Sequence, residues 1–174
     1  MRPYMPLLTA FCCCVLAGCA AHEATTAPVA AETRLDRQSA PSWGPESPPF
    51  NDEIVLRGAG FGLVKFRQPK DGNRIVYLDT WVRDLSPNTS YSLQRAVDAN
   101  VNDDCTGTAW LTLGKGATPQ SITTDSRGTG REDLYRDLGA TPVGTKLDIH
   151  FRVIDATTSA IVLTSECYQF TVSQ

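Results

Sequence analysis

The side chains best able to do chemistry lie in a few short clusters. Asp98, Asn100, Asn102 and Asp104 put oxygen donors at alternate positions of one segment, the spacing with which a calcium loop begins. Asp103 then stands where such a loop takes the glycine of its sharp turn, and Ala109 where it takes a bidentate glutamate. A solvated acidic loop ending at Cys105 is therefore the favoured reading, with a calcium- or other metal-dependent binding module as the alternative. His150 alternates with Lys146, Asp148 and Arg152 on the face opposite Leu147, Ile149, Phe151 and Val153. It reads as a solvated strand residue. A catalytic base needs a nucleophile and an orienting acid beside it, and no such context surrounds it. Gly58-Ala59-Gly60-Phe61-Gly62 lacks the following helix of a phosphate loop, so a bulge or close strand crossing accounts for the glycines. Tyr77 and Trp81 share one face of a long strand, opposite Val76, Leu78 and Val82. With the aliphatic set inward, the two aromatics form an outward platform for a sugar ring or a protein partner.

These clusters must be carried by strands. Ile54–Gly58, Leu63–Gln68, Arg74–Asp84, Thr89–Asp98, Thr108–Leu113, Ser121–Asp125, Arg131–Leu138, Lys146–Asp155 and Ile161–Val172 are short runs bounded by turn residues. No segment sustains a 3.6-residue period with caps. Pro69-Lys70-Asp71-Gly72-Asn73 is a turn with a physical basis, because proline fixes φ and Asp-Gly accepts left-handed angles. The pattern predicts an all-β domain over residues 50–174, an antiparallel immunoglobulin-like β-sandwich of about eight strands.

Before that domain the composition changes. Residues 20–49 are rich in Ala, Thr, Ser, Pro and Glu and almost empty of large apolar side chains, so they cannot offset their own ordering entropy. They read as a tether. Further upstream, Arg2 precedes an apolar run from Leu7 to Ala17, too short for a membrane span of roughly 20 residues. It closes on Leu16-Ala17-Gly18-Cys19, which resembles a bacterial lipobox. The resemblance implies a leader over residues 1–18, a lipid (palmitate among its chains) on Cys19, and a tether over 19–49. Ala20, rather than aspartate, implies sorting to the outer membrane in a Gram-negative cell. Cys12, Cys13 and Cys14 would leave with the leader. Cys105 and Cys167 then remain in an oxidising compartment, where one disulfide is expected.

Leu85-Ser86-Pro87-Asn88-Thr89-Ser90-Tyr91-Ser92-Leu93 resembles the turn-into-strand of fibronectin type III and related immunoglobulin-like domains. That resemblance implies a tyrosine whose hydroxyl bonds back to the upstream backbone, and no activity. Ile122-Thr123-Thr124-Asp125-Ser126-Arg127-Gly128 resembles, at the level of fold, a turn before a strand of superoxide-dismutase and chordin-type sandwiches.

The chain has 16 Lys+Arg against 19 Asp+Glu, net −3, which excludes the basic footprint of a nucleic-acid binder. The arginines from Arg57 to Arg152 are interspersed with acidic residues and read as solvated strand faces. Together these features predict a lipid-anchored cell-envelope module that binds a glycan or protein partner without catalysis and without a resident cofactor. An envelope enzyme comes last, since no convergent catalytic set is visible.

Overall fold

The computed structural model describes residues 50–173. The expected leader, Cys19, the tether and Gln174 lie outside the described residues. Within them the chain is all-β, with no helix. The strands are β1 (Phe50–Gly58), β2 (Phe61–Gln68), β3 (Ile75–Arg83), β4 (Ser90–Asp98), β5 (Leu111–Thr112), β6 (Gly114–Lys115), β7 (Thr118–Pro119), β8 (Ser121–Thr123), β9 (Gly130–Asp137), β10 (Lys146–Asp155), β11 (Ile161–Ser165) and β12 (Tyr168–Thr171).

Alternation decides which side chains go inside. In β3, Val76, Leu78, Thr80 and Val82 are buried while Ile75, Tyr77, Asp79 and Trp81 are not. In β10, Ile149, Phe151 and Val153 point inward. These rows meet Leu56, Val64, Leu93, Leu134 and Leu163 in one apolar cluster. Phe66 packs edge-to-face against Phe170 and Phe151, with ring centroids 4.9 and 6.1 Å apart. Each fully buried Leu or Phe stabilises by roughly 1.5–3 kcal/mol.

The strands join in one sheet, in the order β5-β4-β10-β11-β1-β2-β3-β9-β6-β7, with β12 also on β10 and β8 also on β4. β5 and β6 belong to one five-residue run, Leu111–Lys115. Its first half pairs antiparallel with β4 (Gln94 with Thr112, Arg95 with Leu111). Its last residue, Lys115, pairs parallel with Tyr135 of β9. Between them Leu113 N–H donates to Leu93 O at 2.8 Å, and the Leu113 side chain drops into the core. The run therefore spans from β4 to β9, curling the sheet nearly into a barrel. This parallel pair departs from the wholly antiparallel pairing expected.

Two further differences have local causes. The expected last strand, Ile161–Val172, breaks after Ser165 because β10 takes β11 along its C-terminal half and β12 along its N-terminal half. Cys167 sits in the break. The β6–β7 hairpin has no counterpart in the expected strands, since Gly114, Lys115 and Gly116 carry no β-forming side chains. Beyond β12, which pairs with β10, the chain is held by a side chain. The buried Gln68 carboxamide accepts from Ser173 N–H at 2.8 Å and donates to Ser173 O at 3.0 Å.

Candidate functional site

The two ends of the barrel interior are filled differently. Where β3 turns into β4, Leu85, Tyr91 and Ile122 fill the space and are almost fully buried. Ser86 N–H donates to the Tyr91 hydroxyl at 3.1 Å, the bond expected of that turn. At the opposite end lies a cavity of about 330 Å³. Its walls are apolar, with Phe66, Leu78, Leu113, Ile149 and Phe170 among them. That volume falls at the lower end of the roughly 300–1,000 Å³ typical of small-molecule sites.

Two arginines enter this apolar space. On β4 the inward row runs Tyr91, Leu93, Arg95, Val97, and Arg95 and Val97 both line the cavity. On β9 the inward row runs Leu134, Arg136, Leu138, and Arg136 lines the facing wall. In register Arg95 pairs with Phe151 and Arg136 with Val76, both core positions. The reading of all arginines as solvated strand faces is thus corrected for these two. Alternation carried the signal: each guanidinium falls on the buried phase of its strand.

Their electrostatics are unusual. Arg136 Nη1 donates to Gly116 O at 3.2 Å. Arg95 has no hydrogen-bond acceptor or carboxylate partner among the described residues. Burial, and then the like charge of Arg136, pull the Arg95 guanidinium below the ordinary arginine value; arginine nevertheless stays charged. Asp137 stands at the rim, and its Oδ1 accepts from Gly139 N–H at 2.7 Å. Arg95 is half-buried, so water still reaches the guanidinium, and whatever covered it would have to supply an acceptor. The mouth is framed by the loop over residues 138–145. Arg74 Nη1 donates to the carbonyls of Gly139 and Thr141, each at 3.1 Å.

The acidic segment is built into its own turn. Asp98 Oδ1 accepts from Asn100 N–H at 3.0 Å and Oδ2 from the Thr106 hydroxyl at 2.6 Å. Asn102 Oδ1 accepts from Asp104 N–H at 3.1 Å. The Thr106 hydroxyl, then the Asn100 amide, hold the Asp98 carboxyl below the usual carboxylate range. From beneath, fully buried Asp148 accepts both Asn102 and Asp103 N–H through Oδ2 at 2.8 and 3.0 Å. Among the described residues no three His, Cys, Asp or Glu side chains gather in a way that could hold a metal ion. Cys105 is bonded to Cys167, with Cα atoms 5.4 Å apart and 62 residues between them in sequence.

His150 is not solvated as expected. Its ring lies 4.6 Å from that of Trp110, and its Nε2–H donates to Gly107 O at 3.1 Å. The Arg152 guanidinium stacks on Trp110 at 4.0 Å. The segment after the acidic loop therefore covers this strand face. Gly58 fits the close-crossing reading, because a Cβ there would meet Val162 O at 2.2 Å. Tyr77 and Trp81 do lie outside the core, half-buried. Arg67 sits 5.8 Å over Tyr77, Arg83 sits 5.6 Å over Trp81, and Phe61 packs edge-to-face on Trp81 at 6.1 Å. Cavity and platform are on different surfaces, and in the cavity Arg95 has no acceptor among the described residues. No protein-family model and no curated protein matches the chain, so the chemistry of the site rests on this geometry.

Proposed function

We propose that the chain is a lipid-anchored, non-catalytic binding module of the cell envelope, and that the cavity at the open end of its barrel is the binding site. The single observation behind this reading is the Arg95 guanidinium, which points into an apolar cavity without an acceptor among the described residues. A half-buried guanidinium set among apolar walls offers free donors to a ligand that enters the cavity. Anchorage rests on the Leu16–Cys19 motif, with Cys19 as the lipidated residue. Outer-membrane sorting follows from Ala20. The finer architecture is proposed as an immunoglobulin-like sandwich whose two edges are joined by Leu111–Lys115, a reading supported by the Ser86–Tyr91 bond.

The test is a methyl-detected NMR titration with a set of small apolar and amphiphilic compounds. Shifts gathered on Leu78, Leu113 and Ile149 are expected. Shifts gathered on the Tyr77 and Trp81 face would place the site on the aromatic platform, with a glycan or protein partner. Cys19→Ala should move the protein from the membrane to the soluble fraction; retention in the membrane would remove the lipid anchor.

A further inference from the structure

The chemistry of the cavity narrows what it can hold. Its walls ask for hydrocarbon, and its charged side chains are two guanidinia against the single rim carboxylate of Asp137, which is already engaged by Gly139. Arg95 has every donor free of a described acceptor, and Arg136 spends one on Gly116. Their strands flank the Leu111–Lys115 run, so both charges enter from the same seam. Arg95 is half-buried, and a neutral hydrocarbon would cover it without offering an acceptor. A free inorganic oxyanion would satisfy the guanidinia but leave the apolar walls wetted. We propose that the ligand is a compact anionic amphiphile, a carboxylate-type head on a short hydrocarbon body, with Arg95 gripping the head and Arg136 steering it. A medium-chain fatty acid is the simplest member of this class. The inference rests on the cavity being the binding site and adds the identity of the ligand class.

The head would accept from the fork of Arg95, the planar donor geometry that suits a carboxylate. The body would lie along Phe66, Leu78, Ile149 and Phe170. At about 330 Å³ the cavity suits a short chain better than a full-length membrane lipid.

Calorimetry on the chain from residue 19 onward, carrying Cys19→Ala so that no detergent competes, provides the test. Decanoate, decanol and inorganic phosphate are titrated below micelle-forming concentrations. Decanoate should bind at least about tenfold more tightly than decanol, and phosphate should not displace it. Arg95→Met should erase that preference, and Arg95→Lys should restore part of it. A cooperative thermal melt of each variant shows that it is folded. Equal binding of decanoate and decanol by the unsubstituted chain would overturn the anionic head and leave the cavity site standing. Displacement of decanoate by phosphate at matched concentration would overturn the amphiphile in favour of a free-anion site. No binding of either ten-carbon compound would overturn the cavity reading itself.

Discussion

At the end of the barrel where β3 turns into β4, two turns are sewn together. Leu85 N–H donates to Gly128 O, Asn88 N–H to Asp125 O, and Thr124 accepts from Thr89 N–H while donating to Ser86 O. At the other end, the crest of the loop between β9 and β10 is held by the Arg74 side chain, and the interior beneath it is partly empty. The first end satisfies its polar groups inside the fold. The second holds a half-buried cation with no acceptor among the described residues. Stability concentrated at one pole allows the other to be shaped for a ligand, a division in which a local rule is broken where function requires it.

The comparison breaks most sharply at two glycines. Gly128 has φ +75°, and a Cβ there would meet Leu85 O at 2.0 Å. Gly128→Ala is expected to destabilise by about 3 kcal/mol, since strain and a backbone clash combine. Gly139 also has positive φ, +59°, but a Cβ there meets nothing within 4 Å. Gly139→Ala should cost only about 1 kcal/mol. Equal losses in urea melts would mean that the two ends are built alike. Tyr91→Phe comes next. It leaves Ser86 N–H without its acceptor and should cost about 1–2 kcal/mol, whereas Arg74→Met at the open end should change stability by under about 1 kcal/mol.

Arg95→Met has the opposite sign. Removing an unpaired, inward-facing charge should stabilise the free protein by about 1 kcal/mol, read as a higher Tm. A lower Tm would mean that the guanidinium already has a stabilising role without ligand. The smallest effect concerns acid. Thr129 and Arg127 amides donate to the Asp125 carboxylate and hold it below the usual range. A carboxyl depressed on folding stabilises above its unfolded value near pH 3.9 and loses that contribution as pH falls through the folded value. Asp125→Asn should therefore lose less Tm than the unsubstituted chain between pH 5 and pH 2. Parallel curves would show that this turn does not depend on its carboxylate.

Much of this was written in the residues. The period-two rows of β3 and β10 placed the core correctly, because strand geometry alternates faces without regard to partners. The tyrosine bond followed from a local turn, and the Cys105–Cys167 bridge from counting cysteines beyond the expected leader. The cavity was harder to see. Alternation does assign Arg95 and Arg136 to inward rows, yet composition argues that charges belong outside, and that second rule won. The closing run was hidden for another reason: its pairing with β4 and β9 is long-range, and although Thr108–Leu113 reads as a strand, Gly114-Lys115-Gly116 carries no strand signal of its own. The cover over His150 depends likewise on where Trp110 lands.

That run has a consequence for motion. β4 and β9 are long strands, but between them the wall hangs on two paired residues on one side and one on the other. Local opening costs least where ladder bonds are fewest, so amide hydrogens of residues 111–115 should exchange sooner than those of β3 or β10. Opening there would widen the barrel's girth beside both guanidinia, making the seam an entrance that leaves the sewn end undisturbed.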